Sequence, residues 1–259
     1  MIDLKSWLIS SYGINSLIGR FLSDEQAKTI NIGLIDYAIN YMPKDDFFNA
    51  KISFGGCHLD QENVEENDHG LFSSSLIIAQ GNRNLRGLIP NANLFFYNLN
   101  PNDNITEDNL ILAIDWMIKK KVQLICLPFG SDRNIPAVVK IINKAIGLNI
   151  LILAAAGNEY PKYSLFPARL DNVISVGALD MQYLVLDDCC INPEPDCWLP
   201  GLKIPGLTSS GQLAYRSGTS VSCLLATGFA ANYLAKTNQK SISKKDFINH
   251  IKELNLIKQ

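Results

Sequence analysis

Residues 107–121 read EDNLILAIDWMIKKK, residues 122–127 VQLICL, residues 135–146 IPAVVKIINKAI and residues 150–158 ILILAAAGN. In the first segment apolar side chains recur at the i, i+3, i+4, i+7 and i+8 positions of one helix face, and the third segment repeats the pattern. The second and fourth segments begin as short apolar runs typical of buried strands. Helices and strands in this alternation predict right-handed crossovers and a mainly parallel sheet.

Further apolar runs of strand character flank this stretch on both sides: Ile32–Ile35, Ile52–Phe54, Leu94–Leu99 and Val173–Val176. Together they predict an α/β fold in three layers, with a doubly wound, mainly parallel sheet covered by helices on both faces. Farther along the chain, residues 187–215 read as loops with short strands. Helical patterns follow from Ser220 and over residues 243–256.

The composition excludes several classes of function. Lysine and arginine total 23 against 25 aspartates and glutamates, a net charge of −2, so we expect no basic patch of the kind that binds nucleic acid or a membrane surface. The longest apolar run, residues 150–156, is far shorter than a membrane span. Residues 1–7, MIDLKSW, lack the pattern of an export signal. We therefore expect a cytoplasmic protein whose partners include neither nucleic acid nor membrane.

No cofactor and no metal are expected. A chain of this length needs no bridges to fold, and without an export signal its six cysteines read as reduced thiols. A local disulfide or a metal site near Cys189, Cys190 and Cys197 are the alternatives. A zinc site is not expected, because these cysteines form no CxxC pair and have no histidine nearby. A calcium site is not expected either, because Asp187 and Asp188 are only a pair of acidic residues. A nucleotide-binding function is not expected, because the sequence has neither a G-x-G-x-x-G motif nor a P-loop motif.

Four polar side chains lie where a parallel sheet places its working residues, beyond the carboxyl ends of strands. Asp36 ends an apolar strand, and His69 precedes a helical pattern at 71–80. Asn158 ends the last segment quoted above, and Ser220 opens a long apolar helical stretch. Acid, imidazole and hydroxyl are the parts of an activated serine nucleophile, and an asparagine amide can donate to an oxyanion. Taken alone, each of these residues could equally be a turn residue or a helix cap. Their common location at strand-to-helix junctions of one sheet favours a catalytic role.

The sequence around these four residues resembles the subtilisin-like serine proteases, the subtilase family. Matching motifs run from about residue 30 to 234: IGLID (32–36), HG (69–70), GLIPNAN (87–93), AAAGNE (154–159), FPAR (166–169), VISVGALD (173–180) and GTSVS (218–222). The resemblance implies a subtilisin-like fold and a serine endopeptidase that works through an acyl-enzyme. It makes Ser220 the nucleophile, His69 the base and then the acid, and Asp36 the residue that orients the histidine. Asn158, with the Ser220 N–H, would hold the oxyanion.

The resemblance also implies a substrate groove. Pro128, Phe129 and Gly130 stand where subtilases pair an extended substrate backbone, an example of strand addition. Ala156, Gly157 and Glu159 stand beside the pocket for the residue that precedes the cut. A carboxylate at that rim would favour lysine or arginine in the substrate, whereas an aromatic wall at Phe129 would favour an apolar side chain.

Several positions depart from the family pattern. Tyr37 and Ala38 follow the aspartate, where the family has Ser or Thr and then Gly. Leu71 and Phe72 replace the last two residues of the usual His-Gly-Thr-His, and Leu224 replaces a proline. None of these changes removes a catalytic atom, but they alter the packing behind the triad. An active, selective protease and a catalytically impaired peptide-binding module are both compatible with them.

Neither a repeat nor a linker interrupts the chain, so we expect a single peptidase domain over residues 1–259. It divides into an N-terminal extension (1–29), a catalytic core (30–236) and a C-terminal helix (237–259). The compact length and the altered motif flanks favour a narrow role, the removal of a leader from a ribosomally made peptide. General intracellular protein turnover is the alternative. The expected partner is a peptide or precursor protein, and the sequence leaves the oligomeric state open.

Overall fold

The computed structural model describes residues 1–14, 26–37, 39, 42–57, 69–99, 106–159 and 163–253. Its strands are β1 (Ile2–Asp3), β2 (Asn31–Tyr37), β3 (Lys51–Gly56), β4 (Leu85–Arg86), β5 (Asn93–Leu99), β6 (Leu124–Leu127), β7 (Leu151–Ala155), β8 (Ile174–Leu179), β9 (Cys197–Pro200), β10 (Ile204–Leu207) and β11 (Leu213–Arg216). Its helices are α1 (Leu4–Tyr12), α2 (Lys44–Phe47), α3 (His69–Ile78), α4 (Glu107–Lys119), α5 (Pro136–Gly147), α6 (Thr219–Thr237) and α7 (Lys244–Lys252), and a 3₁₀ turn spans Gln26–Thr29.

Seven strands form one parallel sheet in the order β3-β5-β2-β6-β7-β8-β9. The chain runs outward from β2 to one edge of the sheet and then crosses to the other side, so the order reverses between β2 and β6. In an open α/β sheet such a reversal opens a crevice at the carboxyl ends of the strands, where ligands bind. The predicted three-layer, doubly wound, mainly parallel α/β fold is confirmed.

Alternation along the strands explains the two layers of helices. In β6, Leu124 and Cys126 point into one core while Ile125 and Leu127 point into the other. The first core packs against α1, α3, α6 and α7, and the second packs against α4 and α5. Because successive side chains of a strand face opposite sides, a strand covered on both faces must be apolar throughout.

Local signals set the helix ends. Thr106 caps α4 by accepting a hydrogen bond from the Asn109 N–H, and Ser243 caps α7 in the same way through the Asp246 N–H. Pro136 occupies the first turn of α5, where a missing N–H costs nothing. The predicted helices at 107–121 and 135–146 therefore form within two residues of their expected bounds. Residues 254–256 of the predicted C-terminal helix lie outside the described residues.

The N-terminal segment packs into the main core. Leu4 and Leu8 of α1 are fully buried there, and Asp3 caps the helix. The Tyr12 hydroxyl donates to the Leu202 carbonyl and accepts from the Leu202 N–H, each at 2.9 Å. Residues 15–25 of the predicted extension lie outside the described residues. Within the described part of the chain, none of the helices is both long and apolar enough to cross a bilayer.

Candidate active site

Asp36 and His69 form a buried acid–imidazole pair. Asp36 is the penultimate residue of the central strand β2 and is fully buried, while His69 begins α3 and keeps 32% of its side chain exposed. His69 Nδ1 lies 2.7 Å from Asp36 Oδ1 and 2.9 Å from Oδ2. The Tyr37 N–H also donates to Oδ1, at 2.7 Å. With Nδ1 held by the carboxylate, Nε2 is the nitrogen left to exchange a proton with another group.

The carboxylate governs the titration of the imidazole. Its charge raises the pKa of His69 above the ordinary value, and this attraction outweighs the opposing effect of burial. The guanidinium of Arg216 acts in the opposite direction and lowers that pKa. Arg216 ends β11, and its Cζ lies 4.7 Å from the ring centroid of Phe72, one turn along α3 from His69.

Ser220 is the second residue of α6, and Gly218 occupies the N-cap without a side-chain cap. The first N–H groups of a helix have no partner inside the helix, and the helix dipole makes this end positive. Within the described residues the Ser220 N–H has no hydrogen-bond acceptor. A serine at this position can therefore present both a hydroxyl and a backbone donor to one reacting group.

Asn158 lies beside Ser220 because Thr219 ties the two segments together. The Thr219 N–H donates to Asn158 Oδ1 at 2.9 Å, and Thr219 Oγ1 accepts from the Gly157 N–H at 3.1 Å. These bonds occupy the amide oxygen and leave Nδ2 as the donating end. A Cβ on Gly218 would lie 2.8 Å from that Nδ2, and Gly218 has φ of 126°, so only glycine fits there.

His69 lies on α3 and Ser220 lies on α6, and these two helices pack against each other. Among the hydrogen bonds of the described residues, none joins Ser220 to His69. Catalytic contacts of this kind are often longer before the substrate binds. The arrangement offers a base, a hydroxyl and two N–H donors at the carboxyl edge of the sheet, which are the groups that acyl transfer requires.

The predicted groove residues lie after β6 and β7, which are neighbours in the sheet. Pro128 is buried and Gly130 is partly exposed, and the Phe129 ring lies 6.3 Å from that of Tyr37. Ala156 and Gly157 are buried, whereas Glu159 is exposed. The structure thus brings the six residues to two adjacent segments of the same edge.

All six cysteines lie in the described ranges, where they form no disulfide, and five of them are buried. The Cys126 and Cys223 sulfurs are 3.7 Å apart, and burial raises the pKa of Cys223 well above its ordinary value. The thiol three residues after Ser220 is therefore protonated at neutral pH. In the ranges that the structure describes, no three His, Cys, Asp or Glu side chains are grouped as a metal site would require.

Sequence reasoning missed three residues beside the site. Thr219 belongs to the GTSVS motif at residues 218–222, and its place between Gly218 and Ser220 could have indicated a role in the site. Arg216 acts on His69, and the Leu165 side chain lies against Gly130 and Gly157. Neither residue carries a local signal, because these contacts join segments that are distant along the chain.

A buried Asp–His pair and a serine at a helix N-terminus are the groups that serine hydrolases of several unrelated folds use. The model of the Subtilase family matches residues 28–254. The chain therefore belongs to the subtilase family and is a serine endopeptidase.

Individual relatives agree with this assignment. Subtilisin DY of Bacillus licheniformis is 26% identical over 223 residues, which cover 83% of this chain and 80% of the relative. An intracellular serine protease of Paenibacillus polymyxa is 31% identical over 180 residues, 67% of this chain, and the match spans 54% of that protein. Among solved structures, the prenylagaramide maturation protease PagA has the same fold, with a TM-score of 0.73 and 21% identity over 91% of this chain and 85% of its own.

Proposed function

We propose that Ser220, His69, Asp36 and Asn158 carry out peptide-bond hydrolysis through an acyl-enzyme. Ser220 Oγ attacks the carbonyl carbon while His69 Nε2 takes its proton. The oxyanion that forms accepts hydrogen bonds from Asn158 Nδ2 and the Ser220 N–H. The C–N bond then breaks as His69 returns the proton to the leaving amine, and water, activated by His69, releases the acyl group from Ser220.

The observation that carries this proposal is the pair of short contacts between His69 Nδ1 and the buried Asp36 carboxylate. They fix the ring and its tautomer, and they stabilise the imidazolium that forms in each step. The hydrogen bond from Thr219 to Asn158 supports the second part, because it orients the amide donor beside Ser220.

The proposed biological role is removal of a leader from a ribosomally made peptide in the cytoplasm. Support comes from the likeness in fold to the prenylagaramide maturation protease over most of both chains. The intracellular serine protease among the relatives supports the location. The substrate would lie extended beside Pro128, Phe129 and Gly130.

A fluorophosphonate probe tests the mechanism, because only an activated serine reacts quickly with it. Labelling is expected at Ser220, and Ser220→Ala is expected to lose both labelling and peptide cleavage. Ser217→Ala is the matched control, since Ser217 is exposed and its Oγ accepts a hydrogen bond from the Lys203 N–H at 2.9 Å. Peptide cleavage that survives Ser220→Ala would refute the mechanism, and an unlabelled wild type would favour a peptide-binding module.

The role is tested with a precursor peptide that carries a leader and a core, chosen from the genes that neighbour this one. One discrete cut between leader and core, with casein left largely intact, is the expected result. Casein degraded at many sites would point to general protein turnover.

A further inference from the structure

One leucine side chain occupies the space between the two segments that border the groove. A Cβ on Gly130 would lie 2.5 Å from Leu165 Cβ, and a Cβ on Gly157 would lie 2.7 Å from Leu165 Cγ. Both distances are too short for real atoms, so each glycine leaves room that Leu165 fills. Leu165 is only 8% exposed.

The backbone holds this leucine in place from both sides. The Leu165 N–H donates to the Ala156 carbonyl at 2.8 Å. The next residue, Phe166, exchanges hydrogen bonds with Ser131, at 2.8 and 2.9 Å. The backbone of residues 165–166 is therefore bonded both to the segment after β6 and to the segment after β7, and shifting this backbone to withdraw the leucine would break these bonds.

The position of the leucine matters for the substrate, and this step rests on the function proposed above. The carbonyl under attack lies between Ser220 and Asn158, and the substrate backbone runs beside Pro128, Phe129 and Gly130. The side chain of the residue that contributes this carbonyl must then enter the cleft between residues 128–130 and 156–158. Leu165 stands in that cleft.

We propose that Leu165 closes the cleft and restricts the residue before the cut to glycine, alanine or serine. A larger side chain would overlap the leucine, and the close-packed surroundings give it no other place. Glu159 would favour lysine or arginine at the same position, and an aromatic wall at Phe129 would favour an apolar side chain. The leucine excludes lysine, arginine and the large apolar residues, and the Phe129 ring lies against Tyr37.

The wild-type enzyme gives the first test. Peptide anilides of one sequence, ending in Gly, Ala, Leu, Phe or Lys before the anilide, differ only in the side chain that enters the cleft. The kcat/KM for Ala is expected to exceed that for Phe by at least about tenfold, the discrimination that a closed apolar pocket supplies. Equal or faster cleavage of the Phe or Lys peptide would overturn the proposal, and no variant needs to fold for this result.

The second test opens the cleft. Leu165→Ala is expected to raise the Phe-to-Ala ratio of kcat/KM by about tenfold or more. Leu170→Ala, a partly buried leucine five residues along the same loop, is the control and should leave the ratio unchanged. A ratio that does not respond to Leu165→Ala, or responds equally in the control, would overturn the proposal.

Fluorophosphonate labelling separates the two levels of failure. If Ser220 is labelled but the anilides show no preference for small residues, the role of Leu165 is wrong and the proposed function stands. If Ser220 is unlabelled and no anilide is cleaved, both fall together.

Discussion

The two halves of the candidate site are built in different ways. Asp36 and His69 meet through side chains, with a buried carboxylate that sets the pKa of its partner. Ser220 and Asn158 are positioned through the backbone, by the start of α6 and the bonds that Thr219 makes to the loop after β7. The first half depends on charge and the second on where N–H groups point. Substitutions should therefore separate them, with pH-dependent losses in the first and pH-independent losses in the second.

The largest effect is expected for Asp36→Asn. Losing the carboxylate removes the group that holds the His69 tautomer, which in a serine-protease triad lowers kcat by about 10⁴. It also removes the cause of the raised pKa, so the acid limb of the kcat/KM profile should move to lower pH. Steady-state kinetics between pH 5 and about 9 measure both effects. A loss below about tenfold would mean that the acid–imidazole pair is structural.

A smaller effect is expected for Asn158→Ala. Removing one oxyanion donor lowers kcat by about 10²–10³, a magnitude measured in a subtilisin and carried over here. KM should stay nearly constant, because the hydrogen bond forms mainly in the transition state. The acid limb of the profile should not move, which distinguishes this half from the first. A raised KM with unchanged kcat would instead assign Asn158 to ground-state binding.

The smallest effect is expected for Arg216→Gln. Arg216 lowers the pKa of His69, so removing its charge should raise that pKa further. Because the base must be neutral, activity would then be lost at a higher pH as the solution is acidified, and the acid limb moves upward. Arg216→Lys keeps the charge and is the matched control. An acid limb that stays in place in the Gln variant would show that the guanidinium does not act on the imidazole.

Much of the fold follows from the sequence because strand and helix periods are local properties. The apolar runs at 122–127 and 150–154 form β6 and β7, and helices α4 and α5 form as predicted. Helix α3 begins at His69, two residues before the helical pattern at 71–80. Helix α1 escaped prediction because its pattern is short, and its buried Leu4 and Leu8 are fixed by distant core residues.

The residues of the candidate site also differ in whether local sequence patterns could predict them. Asp36, His69, Asn158 and Ser220 end or begin predictable elements, so their common edge could be foreseen from strand and helix order. The position of Leu165 in the cleft could not be predicted, because it depends on Gly130 and Gly157, which approach the leucine only in the folded chain. Arg216 could not be predicted either, because the hairpin of β10 and β11 brings it near His69 only in the folded chain.

Trapping the acyl-enzyme tests the central claim most directly. The wild type is mixed with a slowly deacylating peptide ester, quenched in acid, digested and mapped by mass spectrometry. The acyl group is expected on Ser220 and should be absent from Ser220→Ala. An acyl group on Cys223, or turnover of the ester by Ser220→Ala at the wild-type rate, would contradict the account.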